Sequence, residues 1–256
     1  MTIVMAVSGQ AMHLAVQLYT LRNRLEADLE GTLAQLAEAS ATEVELAGFY
    51  GRTPAEMRAA LDAAGLKAVA GHVPIEGWEE APDGVLAAAE ALGMETLVVP
   101  WLPPPETAAE ADAALERILA ASEVAKGGGF GFAYHNHDFE FRTLDDGTDL
   151  WSRITGAGIP HEPDVGWLTV AGRDPVTVIG ELAGRCPLVH AKDVRRKADG
   201  TWEDVIAGDG ELDWPAIAAA AVAAGATRIV VELDNPSENP VDDVALSLAT
   251  LRDALP

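Results

Sequence analysis

Histidines and carboxylates stand where short apolar segments of the sequence end, and together they could hold a metal ion. Six such side chains follow apolar residues in this way: His72, His135, His137, Asp164, His190 and Glu232. Carboxylates and neutral imidazoles supply the hard oxygen and borderline nitrogen donors that divalent ions bind. This pattern predicts a site for one divalent ion (Mn, Mg, Co or Zn) rather than for copper or an iron–sulfur cluster.

Three of these side chains lie in sequence contexts that favour a metal-binding role. Asp164 opens the segment Asp-Val-Gly-Trp, His190 lies in an otherwise apolar segment, and Glu232 follows three apolar residues. A buried carboxylate without a partner is costly, so Glu232 is expected to bind an ion or to act as a base. The two-residue period of a strand puts Lys192 on the face of His190, where it could bind a substrate oxygen.

Other polar and aromatic residues at segment ends are candidates for substrate contacts. These are Tyr19, Glu45, His72, Trp101, His137 and Trp167. Trp101 and Trp167 could form walls against the apolar face of a substrate, or they could pack beneath a loop. His72 could bind a substrate hydroxyl, whereas His137 could instead bond a backbone carbonyl. The residue types alone leave these alternatives open.

Eight strand-like segments alternate with eight helical segments, and these elements must position the candidate residues. The predicted strands are residues 13–21, 42–47, 67–73, 95–101, 130–137, 159–167, 188–194 and 228–233. The predicted helices are residues 24–39, 54–64, 83–92, 106–126, 150–154, 174–184, 213–225 and 241–254. Strict alternation predicts parallel strands, and eight units in 256 residues predict a single (β/α)8 TIM barrel over residues 1–256. The C-terminal strand ends of such a barrel carry the active site.

A doubly wound open sheet is the alternative architecture for an alternating α/β chain. Its nucleotide-binding form needs a glycine-rich turn after the first strand. Residues 19–23 occupy that turn here and read YTLRN, without a glycine. The sequence therefore favours the closed barrel.

The acidic composition excludes several classes of partner. The chain has 41 acidic and 17 basic residues, which gives a net charge of −24 and disfavours binding to nucleic acid or an anionic membrane. No apolar run approaches about 18 residues, and residues 1–21 show no signal-like pattern, so we expect a cytoplasmic protein. Lys192 and Arg195 are nearly the only cations near the predicted barrel mouth. A neutral substrate is therefore favoured over a phosphorylated one.

Seven segments, in this order along nearly the whole chain, resemble the sugar phosphate isomerase/epimerase family of xylose isomerase-like barrels, which also contains endonuclease IV. They are VQLYTLR at 16–22, VELAGF at 44–49, YHNHDFEF at 134–141, EPDVGWL at 162–168, VHAKD at 189–193, GDGELDW at 208–214 and VELD at 231–234. The resemblance implies one divalent ion held by side chains from strands five to eight. Asp164, His190 and Glu232 match the last three ligands.

The strand-five ligand departs from the family pattern. The related sequence there is often Glu-Asn-His, whereas this chain has His135-Asn136-His137. Either His135 takes the ion or Glu140 reaches back from the following loop. Family members with the His-Asn-His form often keep the downstream glutamate, so the resemblance favours Glu140 as the fourth ligand.

The resemblance implies a metal-dependent isomerase or epimerase that acts on a keto-sugar or polyol-derived substrate through a cis-enediolate. Glu232 would be one catalytic base, and Glu140 or His135 would serve the opposite face of the substrate. One alternative is a metal-dependent dehydratase or lyase, similar to inosose dehydratase or acting on oxidised glycosides. Another is a non-catalytic sugar-binding barrel. The family also suggests a homodimer.

Overall fold

Eight parallel strands form the wall of this protein in a computed structural model that describes residues 12–255. The strands of this region are, in chain order, β1 (His13–Gln17), β2 (Glu43–Leu46), β3 (Lys67–His72), β4 (Thr96–Val99), β5 (Gly131–His135), β6 (His161–Glu162), β7 (Leu188–Ala191), β8 (Asp193–Arg196), β9 (Trp202–Val205) and β10 (Arg228–Val231). All except β8 and β9 join one sheet in the order β6-β5-β4-β3-β2-β1-β10-β7. Residues 1–11 and 256 of the predicted domain lie outside the described residues.

The two end strands of this sheet, β6 and β7, also approach each other. An isolated parallel bridge joins Asp164 to His190, and the His190 backbone N–H donates to the Pro163 carbonyl at 2.9 Å. These contacts bring the sheet close to a closed cylinder. The predicted (β/α)8 barrel is confirmed.

Helices surround the sheet, and their ends follow the local sequence. They are α1 (Arg22–Ala27), α2 (Leu29–Glu38), α3 (Pro54–Ala64), α4 (Ile75–Glu80), α5 (Pro82–Leu92), α6 (Ala108–Gly127), α7 (Leu150–Gly156), α8 (Val165–Val170), α9 (Pro175–Glu181), α10 (Trp214–Ala224) and α11 (Pro240–Ala254). Thr53 starts α3 with a capping box to Glu56, and Gly65 ends it at φ 74°. Within residues 12–255, no helix has the length and apolarity needed to cross a membrane.

The interior of the barrel changes from apolar to polar along the strands. Its lower part is a small apolar cluster of Ala15, Val69, Ala70, Leu188 and Val230. Side chains two residues apart along a strand point in the same direction. Two residues after the apolar cluster on β1, β3, β7 and β10, a polar side chain therefore points into the barrel. These four side chains are Gln17, His72, His190 and Glu232. The strand period thus places the chemistry directly above an apolar base.

Several element boundaries differ from the sequence prediction. The predicted sixth strand, residues 159–167, is a strand only at His161–Glu162 and becomes helix α8 from Val165. Asp164 causes this change because its side chain caps α8, accepting the Trp167 N–H at 2.8 Å. Asp28 likewise divides the predicted helix 24–39 by capping α2. The first strand ends at Gln17, where a 3₁₀ turn over Leu18–Leu21 begins.

The antiparallel hairpin of β8 and β9 was not predicted, and it follows directly on β7. The predicted seventh strand, residues 188–194, ends at Ala191 because the chain turns into β8 at Asp193. The buried Asp193 carboxylate anchors the hairpin, since it accepts hydrogen bonds from the Gly208 N–H at 2.7 Å and from Trp214 Nε1 at 2.9 Å. The hairpin therefore stands beside the mouth of the barrel.

Candidate active site

A cavity of about 540 Å³ opens at the C-terminal ends of the barrel strands. Seven residues predicted from the sequence line it: Tyr19, His72, Trp101, His135, His137, Lys192 and Glu232. Glu45, Asp164 and His190 are fully buried behind these lining residues. Trp167 lines an adjoining cavity of about 500 Å³ that shares Lys192 and Asp234 with the first. The barrel therefore gathers most of the predicted residues at one place.

Four buried side chains, which we call the four-residue cluster, converge at the floor of the cavity. They are His135, Asp164, His190 and Glu232, and each offers one ligand atom within 4.8 Å of the others. His190 Nδ1 lies 3.1 Å from Glu232 Oε2, and His135 Nε2 lies 3.9 Å from Asp164 Oδ2. Ligands about 2.1 Å from one ion in a tetrahedron stand about 3.4 Å apart. These separations fit a single divalent ion.

The hydrogen bonding of the cluster also fits a cation. Asp164 Oδ2 is buried and, within residues 12–255, has no hydrogen-bond partner. A buried carboxylate oxygen that accepts no hydrogen bond is unfavourable, and a divalent ion would satisfy it. Two carboxylates and two imidazoles form a donor set suited to Mn, Co or Zn. The residues present therefore fit the predicted metal.

Lys192 supplies the positive charge nearest to the cluster. Its Nζ lies 2.6 Å from Asp234, 3.1 Å from Glu232 and 3.3 Å from Asp164. Although burial disfavours the ammonium, these three carboxylates raise the pKa of Lys192 well above its usual value. Lys192 therefore stays charged at neutral pH, and it lies 5.1 Å from the centre of the Trp167 ring.

The two carboxylates of the cluster differ in their affinity for a proton. Burial raises the pKa of Asp164 to about 6, in spite of the nearby Lys192 ammonium. Glu232 is equally buried, but Lys192 and His190 hold its pKa well below the usual value. Glu232 is therefore an ionised carboxylate at the cavity wall, which is the state that a general base requires.

A second layer of buried polar groups lies beneath the cluster, and its central member, Glu162, was not among the predicted site residues. Glu162 Oε1 lies 2.6 Å from His190 Nε2, 3.1 Å from His72 Nε2 and 3.3 Å from His135 Nδ1. Glu45 Oε2 lies 2.6 Å from the same His190 nitrogen. Glu45 does not line the cavity and instead belongs to this layer, which corrects its predicted contact with substrate. Burial and the Glu162 carboxylate raise the pKa of Glu45 to about 7.

Glu140 lies apart from the four-residue cluster. One of its carboxylate oxygens accepts from the Tyr134 hydroxyl at 2.9 Å, and the other accepts from the His137 N–H at 2.8 Å. Burial raises the pKa of this carboxyl to about 7. Of the two alternatives for strand five, the geometry favours His135 over Glu140 as the fourth ligand. Glu140 also does not line the cavity, so the structure gives no support for its expected catalytic role.

The aromatic candidates and His137 form the upper part of the site. Trp101 is 47% exposed and Tyr19 is 42% exposed at the cavity rim, so Trp101 does not pack beneath a loop. The His137 ring lies 5.3 Å from that of Trp167, and its Nδ1 has no partner among the described residues. Burial and Lys192 lower the pKa of His137 to about 4, which keeps its ring neutral.

A comparison with protein families identifies the architecture. The family described as xylose isomerase-like TIM barrel matches residues 33–254. This chain belongs to the xylose isomerase-like TIM barrel family. No curated protein sequence matches this xylose isomerase-like chain.

Solved structures share the fold of this xylose isomerase-like barrel. A sugar phosphate isomerase/epimerase from Parabacteroides distasonis is 24% identical with a TM-score of 0.82, and the match covers 100% of this chain and 98% of that chain. The IOLI protein with a bound zinc atom is 15% identical with a TM-score of 0.72, covering 95% and 98%. D-Psicose 3-epimerase with D-tagatose, from Clostridium cellulolyticum H10, is 13% identical with a TM-score of 0.70, covering 95% and 99%. At these identities, the likeness is one of fold.

Proposed function

We propose that this barrel is a divalent-metal-dependent isomerase or epimerase, acting on a keto-sugar or polyol-derived substrate through a cis-enediolate. The observation that carries the proposal is the four-residue cluster at the floor of the cavity. Solved neighbours support it, since they include an L-ribulose 3-epimerase and the D-psicose 3-epimerase with D-tagatose. The IOLI protein with its zinc atom supports a metal site in this fold.

His135, Asp164, His190 and Glu232 would hold the ion. When bound, a divalent ion acts as a Lewis acid that polarises the carbonyl oxygen of the substrate and acidifies the neighbouring C–H. Glu232 is ionised and lines the cavity, so it removes this proton and returns it to the adjacent carbon. Lys192 lies 3.1 Å from Glu232 and stabilises the negative charge that develops on substrate oxygens.

The two faces of the substrate would meet different groups. Glu232 and Lys192 lie on one side, whereas His137 and Trp101 complete the wall of the cavity. On that second side no glutamate faces the substrate, because His137 occupies the wall and Glu140 lies outside both the four-residue cluster and the cavity lining. This asymmetry favours transfer by Glu232 alone, which gives isomerisation, over a symmetrical two-glutamate epimerisation.

A dehydratase or lyase is the second candidate, and the charged Lys192 favours it. Its ammonium lies between the cavity and the adjoining 500 Å³ cavity, since it lines both. An ammonium in this position would stabilise the negative charge on a departing hydroxyl or alkoxyl group of the same enediolate by a charge-assisted hydrogen bond. The product then differs in mass from the substrate, whereas an isomerase product does not.

The experiment follows solvent deuterium into candidate substrates. The Mn-loaded protein is incubated in D₂O with a panel of neutral keto-sugars and inososes, and the products are analysed by mass spectrometry and NMR. We expect deuterium at the carbon beside the carbonyl, with loss of exchange after chelation and in Glu232→Gln. Glu123→Gln is the control, because Glu123 is an exposed glutamate of α6 and should leave exchange unchanged. Exchange that survives chelation, or its absence with every substrate, contradicts the proposal.

A neutral carbohydrate remains the proposed small-molecule partner, because Lys192 is the one cation among the residues that line the described 540 Å³ cavity. The homodimer, the absence of nucleic-acid and membrane partners, and the cytoplasmic location stay predictions from the sequence and the family resemblance. The panel includes phosphorylated keto-sugars as well, so that the expected preference for neutral substrates is tested in the same experiment.

A further inference from the structure

Glu162 is a buried carboxylate that the proposed reaction does not use. It has no exposed surface, it does not line the cavity, and its Oε2 has no hydrogen-bond partner in the part of the chain that the structure describes. Its Oε1, however, lies within 3.3 Å of a ring nitrogen from each of three histidines. Such an arrangement in a barrel interior needs an explanation, because an isolated buried carboxylate is strongly destabilising.

Two of these histidines, His135 and His190, belong to the four-residue cluster. In each ring one nitrogen faces Glu162 and the other faces a carboxylate of the cluster. His135 directs Nδ1 to Glu162 at 3.3 Å and Nε2 towards Asp164 at 3.9 Å. His190 directs Nε2 to Glu162 at 2.6 Å and Nδ1 towards Glu232 at 3.1 Å. The two rings therefore turn opposite nitrogens towards the same carboxylate.

The distances around Glu162 show whether it could be a ligand in a second metal site or instead pairs with the histidines. His72, His135, Glu162 and His190 also bring their ligand atoms within 4.8 Å of one another. However, the 2.6 Å between His190 Nε2 and Glu162 Oε1 is an ion-pair distance. Two ligands of one ion stand about 3.4 Å apart at the usual bond lengths. Glu162 thus accepts hydrogen bonds from His72 and His135 and forms an ion pair with His190.

We propose that Glu162 is the positioning residue of the metal site, and that together with Glu45 it fixes opposite tautomers of the two histidine ligands. Glu162 accepts the Nδ1–H of His135, while Glu45 accepts the Nε2–H of His190 with Glu162 paired beside it. This arrangement leaves His135 Nε2 and His190 Nδ1 free to bind the ion. A carboxylate behind a metal-binding histidine orients the ring and increases its basicity. This inference rests on the proposed function, since it requires a divalent ion at the four-residue cluster.

Glu45 completes the arrangement around His190. Its Oε2 accepts the Nε2–H of His190 at 2.6 Å and also accepts a hydrogen bond from Gln17 Nε2 at 3.0 Å. His72 donates to Glu162 from the cavity side at 3.1 Å. The buried carboxylates therefore act on the ion through the histidines and have no contact with the substrate cavity.

The first test measures metal affinity in Glu162→Gln. Glutamine has one acceptor oxygen where glutamate has two. Its NH₂ group is a donor, so it cannot accept a hydrogen bond from an imidazole N–H. We expect the dissociation constants of Mn and Zn, measured by calorimetry with a competing chelator, to rise about 10–100-fold. Glu43→Gln is the control, because Glu43 is a buried glutamate at the opposite end of the barrel, paired with Arg228 at 2.8 Å. It should keep the wild-type affinity.

The second test needs no variant and so does not depend on how Glu162→Gln folds. ¹⁵N NMR of the zinc-loaded wild-type protein should show His135 protonated at Nδ1 and His190 protonated at Nε2. The same tautomer in both rings, or wild-type metal affinity in Glu162→Gln, overturns the proposal while leaving the proposed function intact. A wild-type protein that binds neither Mn nor Zn overturns both.

Discussion

Replacing Lys192 with methionine tests the electrostatics of the site, because methionine keeps the length of the side chain and removes its charge. Lys192 is 2% exposed and its ammonium lies within 3.3 Å of three carboxylates. Removing one partner of a buried ion pair destabilises a protein by about 3–5 kcal/mol. The cost is limited here, because Asp164, with a pKa of about 6, can take up a proton.

A loss of about 3 kcal/mol at neutral pH lowers the melting temperature of a chain of this size by about 10 °C. The assay is thermal unfolding of the metal-free protein, followed by circular dichroism in the presence of a chelator. Adding Mn should stabilise Lys192→Met more than it stabilises the wild type, since the ion then becomes the sole cation beside Asp164 and Glu232 in the described cluster.

The control is Lys126→Met, because the Lys126 side chain is 55% exposed and pairs with the exposed Glu123. Such a surface pair contributes little, so the melting temperature should change by less than about 2 °C. If Lys192→Met melts within 1 °C or so of the wild type without metal, the electrostatic reasoning fails.

Two further predictions concern groups next to the site. Burial raises the pKa of Glu140 from 4.5 to about 7, so its neutral form stabilises the fold below pH 4.5 and this contribution is lost as the pH rises through 7. Urea unfolding should therefore show Glu140→Gln gaining about 3 kcal/mol relative to the wild type between pH 4.5 and 8, and a pH-independent difference would refute this. A Cβ at Gly166 would lie 2.6 Å from the Lys192 carbonyl oxygen, so Gly166→Ala should lose about 1–3 kcal/mol and bind Mn more weakly. Gly180→Ala, in the last turn of α9 where an added Cβ meets no atom within 4 Å, should instead gain about 0.5 kcal/mol, and equal effects at the two sites would contradict the clash.

The barrel could be predicted from the sequence because its signals are local and repeat eight times. Helix starts such as Thr53-Pro54 and stops such as Gly65 mark the alternation directly, and the structure places a cap at each. Asp164, His190 and Glu232 could be found because they interrupt apolar segments, and the strand period carries all three to the same interior. Their convergence then follows from the topology alone.

The partners of these residues depend on details that the sequence does not carry. Glu162 precedes Asp164 by two residues, so the strand period could have assigned it to the same face. The prediction of one long strand over residues 159–167 gave it no special position, because the helix cap at Asp164 was not recognised. The sequence therefore contained a usable signal for Glu162.

The choice between His135 and Glu140 could not be made from spacing. Glu140 follows strand β5 in a short 3₁₀ turn over Phe139–Phe141, and its direction depends on where the Tyr134 hydroxyl and the His137 N–H lie. Those positions are set by tertiary packing. The same holds for the β8–β9 hairpin, which is anchored by contacts of Asp193 with residues up to Trp214.

The most direct test of the account is a crystal structure of the Mn-loaded protein with anomalous diffraction data. We expect one anomalous peak in the four-residue cluster, bound by His135 Nε2, Asp164, His190 Nδ1 and Glu232. We also expect a hydrogen bond from His135 Nδ1 to Glu162 and one from His190 Nε2 to Glu45, with Glu162 paired beside it. A structure without a peak at this position, or with the ion held by Glu140 or by Glu162 itself, would contradict it.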